Sequence, residues 1–178
     1  MNRVFELFFS MLDPIKCAKK KGVKVGSECR FINYPDFGTE PYLISLGNRV
    51  EISKDVRFIT HDGATWTFRN QKRYEQVIRF GRIDVGDNTF IGTRSTILPN
   101  IKIGKDCIVG ACSLVSRNIP DGQVWAGCPA RYICDTRDFA EKCLKETPEY
   151  NRDVFLSRKG KQNEVERTTK KAGESKQQ

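Results

Sequence analysis

Aliphatic residues recur at every sixth position through the middle of the chain. The run consists of Val85, Ile91, Ile97, Ile103, Val109 and Val115. An α-helix repeats every 3.6 residues and cannot keep an unbroken period of six. A simple alternating strand would also bury the positions in between. The period therefore predicts short strands separated by regular corners.

A second set of small or β-branched residues lies four positions after each aliphatic one. Its members are Thr89, Ser95, Ile101, Cys107, Ser113 and Ile119. Three such hexads would close one triangular coil of a β-solenoid, with both sets pointing inward and the frequent following glycine helping the backbone to turn. Cys107 and, in an earlier coil, Cys29 take the small inward position, so we interpret them as core packing and not as nucleophiles.

Earlier hexads with the same step flank two interruptions. They begin at Val25, Phe31, Leu46, Ile52 and Phe58, with Val50 and Val56 in the small inward position. The first interruption, Asn33–Ser45, contains two prolines and a glycine and predicts a loop or an irregular coil. The second, Asp62–Arg82, is polar, aromatic and basic. Solenoid insertions project from one face and commonly build the binding site.

The two ends of the chain do not follow the repeat. An apolar face formed by Val4, Phe5, Phe8 and Leu12 predicts a short N-terminal helix. Asp138 and Glu141 resemble a capping box for a helix over 139–147 that ends at Pro148. The predicted organisation is a helical segment at 1–22, a β-solenoid at 23–134 with an insertion at 62–82, a C-terminal helix within 135–157 and a basic disordered tail at 158–178.

Charge is concentrated at the two ends. The 178 residues carry 31 basic and 22 acidic side chains, a net charge of +9. Residues 1–24 and 157–178 each carry +4, which leaves +1 for residues 25–156. Such ends suit solvated tails, nucleic acid or an anionic membrane surface. No aromatic residues interleave with the terminal lysines, so we expect no nucleic-acid partner.

Compartment and metal chemistry follow from a few residue types. No segment approaches the roughly 18 apolar residues that span a bilayer, and Val4–Leu12 lacks a secretory cleavage site. Seven cysteines without a CxxC pair favour free thiols in a reducing compartment. We therefore expect a cytoplasmic protein. The single histidine, His61, excludes sites that need two or three histidines from one chain, and we expect no metal.

The hexads of residues 83–133, which end in the motif Ala126-Gly127-Cys128-Pro129-Ala130-Arg131, resemble the hexapeptide-repeat acyltransferases. The resemblance covers residues 22–134 and is nearest to the sugar and polysaccharide O-acetyltransferase branch. It implies a mainly β fold, a left-handed parallel β-helix with short helices at either end. It also implies a homotrimer whose active sites lie between neighbouring subunits, with acetyl-CoA as co-substrate.

The resemblance assigns site residues position by position. His61 would be the catalytic base, since imidazole with an ordinary pKa of about 6.5 can accept a hydroxyl proton near neutral pH. The acyl-donor site would comprise Thr93, Ala111, Ser116, Arg117 and Arg131. Ser116 and Arg117 replace the Thr-Lys pair of the family, and Phe90 stands where many relatives have tryptophan.

Acceptor recognition is expected in the interruptions. Trp66 could stack on a sugar ring, Arg69 could bond hydroxyls or a carboxylate, and Asp62 could bind substrate or hold the imidazole tautomer. A backbone N–H would stabilise the oxyanion. We therefore predict an acetyl-CoA-dependent O-acetyltransferase acting on a hydroxyl of a sugar or polysaccharide precursor.

Several alternatives remain open at this point. The same fold could acetylate the amine of an amino sugar, or a hydroxyl of an antibiotic or an amino acid. A cysteine nucleophile would require Cys112 or Cys128 in the cleft. In another class, the chain would be a non-catalytic scaffold. The lysine-flanked N-terminal helix either packs on the trimer or makes peripheral membrane contact.

Overall fold

A computed structural model describes residues 13–174, with 158, 159 and 170–174 described by their backbone alone. The helices are α1 (Pro14–Lys20), α2 (Thr136–Glu146), α3 (Arg152–Leu156) and α4 (Arg158–Glu174). The strands are β1 (Lys24–Val25), β2 (Arg30–Phe31), β3 (Ile44–Leu46), β4 (Glu51–Ile52), β5 (Arg57–Phe58), β6 (Ile83–Val85), β7 (Phe90–Ile91), β8 (Thr96–Ile97), β9 (Ile101–Ile103), β10 (Ile108–Val109), β11 (Leu114–Val115), β12 (Gln123–Gly127) and β13 (Ala130–Asp135).

From β3 to β11 the strands enter three sheets in strict rotation. The first sheet has the order β1-β3-β6-β9, the second β2-β4-β7-β10-β12-β13 and the third β5-β8-β11. Pairing is parallel except for the β12–β13 hairpin. Ile83 pairs with Ile101, 18 residues on, and Phe90 pairs with Ile108 at the same offset. One coil therefore consists of three hexads, as the spacing predicts.

The core of the coils is formed by the two sets of repeating positions. All six aliphatic positions from Val85 to Val115 are buried, and so are all six small or β-branched positions. The hydroxyls among them are satisfied within the coil: Thr89 Oγ1 donates to the Gly104 carbonyl at 2.9 Å and Ser95 Oγ to that of Gly110 at 3.0 Å. Polar residues can occupy this interior because each hydroxyl has a backbone acceptor.

Both cysteines of the small inward set pack in the core, as predicted. The Cys107 thiol is buried and lies 3.0 Å from the Pro120 carbonyl, and burial raises its pKa. Cys29 is partly buried against the core, and its thiol lies 3.1 Å from the Gly47 carbonyl. A raised pKa keeps a thiol protonated and unreactive, which supports the structural interpretation of Cys107.

The corners are built differently from the expectation. Glycines of the repeat pack against the next coil: a Cβ on Gly92 would lie 2.5 Å from the Ala111 backbone nitrogen. The left-handed turn residues are instead non-glycine. They include Asn88, Arg94, Asp106 and Cys112, with φ between 55° and 59°. Asn and Asp adopt this region more readily than most non-glycine residues, and Asn88 Nδ2 also donates to Asp106 Oδ1 of the next coil at 2.7 Å.

The first interruption is mostly a regular coil. Phe37, six residues after Phe31, is buried and stacks on Phe58 with ring centroids 5.3 Å apart. Asp36 forms a parallel bridge with Arg57. Of the two possibilities predicted for Asn33–Ser45, a loop or an irregular coil, the structure shows a coil for the first part, in which Phe37 keeps the step of six after Phe31.

Both interruptions leave the coil at the same corner, between the third and the first sheet. Arg30 pairs with Glu51 at an offset of 21 residues and Ser45 with Asp84 at 39, against 18 in the regular coils. The first interruption therefore adds three residues to its coil and the second adds 21. The second contains 3₁₀-helices at Gly63–Thr67 and Lys72–Tyr74.

The ends differ from the predicted organisation in two respects, and one further part of it stays a prediction. The apolar face of the N-terminal segment, residues 4–12, lies outside the described residues. Helix α2 begins at Thr136 instead of residue 139, because the Thr136 side chain and amide bond the carbonyls of Asp106 and Gly122, each at 2.8 Å. Residues 158–174 form α4, where a disordered tail was expected.

The C-terminal helix is supported by local side-chain pairs. Glu164 and Arg167 form an ion pair at 2.7 Å, and Gln162 donates to Glu166 at 3.0 Å. Such pairs at three- and four-residue spacing stabilise helices of strongly polar composition. Among the described residues, 138–174 form a unit of their own, separate from 13–137. Over the described part of the chain, no helix combines the length and apolarity needed to cross a membrane.

Candidate active site

His61 lies at the corner where the longer interruption begins. It follows β5 by three residues and forms an antiparallel bridge with Phe80, which closes the base of the insertion. Its side chain is 45% exposed and lines a cavity of about 180 Å³ together with Gly38, Arg57 and Thr60. The imidazole is therefore open to a ligand while its position is fixed by backbone pairing.

Glu40 from the preceding coil holds the His61 ring. Its Oε2 lies 2.9 Å from His61 Nδ1 and accepts a 2.7 Å hydrogen bond from Thr60 Oγ1, while Oε1 accepts one of 2.6 Å from Thr39 Oγ1. Burial acts to raise the pKa of Glu40, but the hydrogen bonds from Thr39, Thr60 and His61 outweigh it and lower that pKa to about 2.

An ionised carboxylate on Nδ1 determines which nitrogen can act as a base. Because a carboxylate only accepts hydrogen bonds, Nδ1 carries the proton and Nε2 of neutral His61 keeps its lone pair. The Glu40–His61 pair thus has the hydrogen-bond pattern of an oriented general base.

Sequence reasoning missed Glu40 and suggested Asp62 as a partner for the imidazole. The Asp62 carboxylate has other partners: it accepts from the Ala64 amide at 3.0 Å and pairs with Arg79 at 3.2 Å. It therefore caps the first 3₁₀-helix and braces the insertion. A signal for Glu40 existed, since it precedes His61 by 21 residues, the length of its own enlarged coil.

Thr93 and Ala111 lie on consecutive coils at the corner between the second and third sheets. The Cys112 amide donates to the Thr93 carbonyl at 2.8 Å, and Thr93 Oγ1 lies 2.7 Å from Ser53 Oγ. The stacking of the two residues agrees with their spacing. Thr93 precedes a third-sheet strand and His61 follows one, so a single chain places them at opposite ends of these strands.

The other predicted donor residues are dispersed. Ser116 follows β11 and lines a cavity of about 240 Å³ with Asp62, Arg79 and Phe80, on the side of the insertion. Arg117 is exposed. Arg131 lies on β13, where its guanidinium donates to the Ala130 carbonyl at 2.9 Å. One chain therefore does not gather the five residues into a single cleft.

Two of the three predicted acceptor residues lie together. Trp66 and Arg69 line a cavity of about 520 Å³ with Thr67, Asn70 and Glu75. The Trp66 side chain is 80% exposed. The volume lies in the range of small-molecule sites. Asp62, the third predicted acceptor residue, lines the separate cavity beside Ser116.

Cysteine chemistry and metal binding can be assessed within residues 13–174. Cys112 and Cys128 are exposed free thiols. In the same range, no group of three or more histidine, cysteine, aspartate and glutamate side chains is placed to hold a metal ion. The Glu40–His61 pair is accordingly the clearest arrangement for acid–base chemistry.

Known proteins share both the repeat and the fold. The model of the bacterial transferase hexapeptide (six repeats) family matches residues 82–117. Protein CapG of Staphylococcus aureus is 41% identical over 153 residues, which cover 82% of this chain and 88% of CapG. Galactoside O-acetyltransferase of Escherichia coli is 29% identical over 99 residues, 56% of this chain and 47% of that enzyme.

A solved structure supports the same assignment at the level of the fold. The maltose O-acetyltransferase from Clostridium difficile 630 aligns with a TM-score of 0.50 and 22% identity, over 67% of this chain and 73% of that protein. The chain thus has the repeat, the rotation of parallel strands and a relative that it matches over most of its length. It belongs to the hexapeptide-repeat transferases and is an acetyltransferase of that family.

Proposed function

We propose that this protein transfers an acetyl group from acetyl-CoA to a hydroxyl of a sugar or polysaccharide precursor, with His61 as the general base. The observation that carries the proposal is the 2.9 Å contact between Glu40 and His61 Nδ1, which leaves Nε2 as the basic nitrogen. The sugar acceptor is supported by the relationship to galactoside O-acetyltransferases.

The reaction is a direct transfer. Nε2 of His61 takes the proton of the acceptor hydroxyl as the oxygen attacks the thioester carbonyl. A C–O bond forms and the C–S bond breaks, and the imidazolium returns the proton to the departing CoA sulfur. The ester and free CoA are the products. Glu40 holds the ring and stabilises the imidazolium charge. The hydroxyls of Thr39 and Thr60 donate further hydrogen bonds to the Glu40 carboxylate.

The donor site requires a second subunit in this proposal. His61 and the Thr93–Ala111 corner lie at opposite ends of the third-sheet strands, so His61 of one subunit would meet the donor corner of its neighbour in a homotrimer. The coil would be left-handed, as in the family. Ser116, Arg117 and Arg131 would line the donor path, with Arg131 directed to nucleotide phosphates.

The acceptor would approach from the insertion. Trp66 would stack on a sugar ring and Arg69 would bond its polar groups. Asp62 would contribute mainly by shaping the base of the insertion through Ala64 and Arg79. We place the reaction in the cytoplasm, where acetyl-CoA is available. Contact of the lysine-rich N-terminal segment with anionic membrane surfaces remains a secondary proposal.

Substitution of His61 tests the function. His61→Ala should lower kcat by about 10²–10⁴-fold because the general base is lost. Affinity for acetyl-CoA, measured by calorimetric titration, should stay within about twofold. CoA release is followed with galactosides, maltose and amino sugars as acceptors, and hydroxylamine lability separates ester from amide products.

A control variant is Lys102→Ala, an exposed residue on β9 of the first sheet that is not among the assigned site residues. It should retain activity. Equal loss of turnover and of acetyl-CoA affinity in His61→Ala would contradict the role of a base. If the folded wild-type protein does not bind acetyl-CoA, the transferase proposal is overturned in favour of the scaffold. If Cys112→Ser abolishes activity, a cysteine nucleophile is indicated.

A further inference from the structure

Within the body of the chain, net positive charge is concentrated in the insertion. Residues 62–82 hold five basic and two acidic side chains, a net charge of +3. Residues 25–156 as a whole carry +1, so the body outside the insertion carries −2. A basic segment on a slightly acidic body produces a local positive potential that attracts anions.

Trp66 of the insertion is exposed and not buried. Asp62 caps the 3₁₀-helix Gly63–Thr67 through the Ala64 amide, and Thr65 is the residue of that helix that is buried. Phe68 and Tyr74 pack edge to face with centroids 5.7 Å apart and give the insertion an aromatic contact of its own. Thr65 is buried and Phe68 and Tyr74 are half-buried, whereas Trp66 and Arg69 are exposed and line the cavity.

Some basic side chains of the insertion have an acidic or aromatic partner, and others lack a carboxylate at ion-pair distance in the described structure. Arg79 pairs with Asp62 at 3.2 Å, and the guanidinium of Arg73 lies over the Tyr74 ring. Across the described residues, no carboxylate lies within ion-pair distance of Arg69 or Lys72. The cavity thus contains an uncompensated guanidinium.

Glu75 is the one carboxylate that lines this cavity in the described structure. Arg69 can bind a phosphate or carboxylate through two parallel N–H donors, and the nearby carboxylate would oppose such an anion. Arg69 therefore favours a bound anion, whereas Glu75 favours a bound cationic amine.

We infer that the cavity of Trp66 and Arg69 binds a negatively charged sugar, with Trp66 against the ring and Arg69 on its phosphate or carboxylate. This inference rests on the proposed function and names the acceptor class: a sugar phosphate, a nucleotide-linked sugar or a uronate. Trp66 follows His61 by five residues, a separation of no more than about 18 Å along the chain. A sugar whose charged end is held by Arg69 can therefore reach His61 with a hydroxyl at its other end.

Tryptophan fluorescence tests the site independently of catalysis. The chain has two tryptophans, and Trp125 is partly buried against the core. In a Trp125→Phe background the emission reports on Trp66 alone. Glucose, glucose 1-phosphate, UDP-glucose and glucuronate are the probes. Saturable quenching is expected with the three anions and not with glucose, and their relative affinities distinguish phosphate from carboxylate.

Two variants that change the charge of the cavity in opposite directions test the inference. Arg69→Gln should weaken binding of glucose 1-phosphate by at least about tenfold, since a charge-assisted hydrogen bond is lost. Glu75→Gln should strengthen it by about threefold. Arg137→Gln removes the same charge from an exposed position outside the insertion and should leave the affinity unchanged.

The inference is overturned if glucose and glucose 1-phosphate quench alike, if Arg137→Gln weakens binding as much as Arg69→Gln, or if Glu75→Gln weakens it. Acetyl transfer to neutral sugars that depends on His61 would then still support the proposed function. Conversely, anion binding at Trp66 in a protein that does not bind acetyl-CoA would uphold this site and refute the transferase proposal.

Discussion

The regular coils and the two interruptions differ in what their residues do. Each regular coil repeats the same inward residue types at the same positions, and these are buried throughout Val85–Val115. The interruptions carry Glu40, Trp66 and Arg69, and His61 directly precedes the second one; all four side chains are exposed or partly exposed. The repeat provides the buried core, and the departures from it carry the residues of the proposed base and acceptor sites.

Both interruptions occupy the same corner of successive coils, and this explains how the site is assembled. Glu40 lies within the coil enlarged by three residues, and His61 begins the coil enlarged by 21. A coil stacks its corner directly on that of the next one. Two additions at one corner therefore bring side chains 21 positions apart to a distance of 2.9 Å.

The largest expected effect is the loss of a core aliphatic residue. Ile97→Ala should destabilise the fold by about 3–4 kcal/mol, because a fully buried side chain is replaced by a cavity. Leu98→Ala, at the half-buried outward neighbour, should cost no more than about 1.5 kcal/mol. Urea denaturation of both variants measures the difference. Similar midpoints would show that the repeat does not dominate stability.

A pair of glycines compares the two regions directly. Gly92→Ala places a Cβ 2.5 Å from the Ala111 backbone nitrogen, and we expect a loss of about 1–3 kcal/mol. Gly63→Ala in the insertion has no atom within 4 Å of the new Cβ and should be close to neutral. Thermal melts of the two variants test this contrast, which fails if Gly63→Ala is the more destabilising.

Glu40→Gln should affect catalysis more than stability at neutral pH. Loss of the carboxylate should lower kcat by about 10–100-fold with little change in KM, since ring orientation and imidazolium stabilisation are lost. Because the pKa of Glu40 is lowered to about 2 from 4.5, its stabilising contribution is present above pH 4.5 and is lost as the pH falls toward 2.

Denaturation of wild type and Glu40→Gln at pH 5 and pH 2.5 checks the sign of this linkage. The stability advantage of the wild type should shrink at the lower pH. An advantage of equal size at both values would mean that Glu40 is not held ionised by Thr39, Thr60 and His61. Glu40→Asp, which keeps the charge on a shorter side chain, should recover part of the rate.

The smallest expected effect is that of Asp62→Asn. The Asp62–Arg79 pair is largely exposed, and such pairs contribute about 0–1 kcal/mol. We expect kcat to fall less than threefold, as measured by CoA release. A loss comparable to that of Glu40→Gln would restore Asp62 as the partner of the imidazole.

Sequence patterns sufficed wherever the relevant interactions are periodic. The period of six predicted the coil length, the inward sets and the core role of Cys107, because each coil buries its residues against an identical neighbour. The same reasoning placed His61 at a corner and Thr93 above Ala111. Phe37 keeps the step of six after Phe31, but it was missed because Pro35, Gly38 and Pro41 were interpreted as a break in the repeat.

The sequence by itself determined the family, the rotation of strands and the position of the single histidine, since these depend on residue type and spacing alone. Only the tertiary structure decided that Glu40 and not Asp62 holds His61, that non-glycine residues turn the corners, and that Thr136 begins α2 by bonding to Asp106. Glu40 and His61 are 21 positions apart in the chain, Thr136 and Asp106 are 30 apart, and the glycines of the repeat are used for close packing between coils. Each outcome follows from how the coils stack, and local sequence preferences do not contain that geometry.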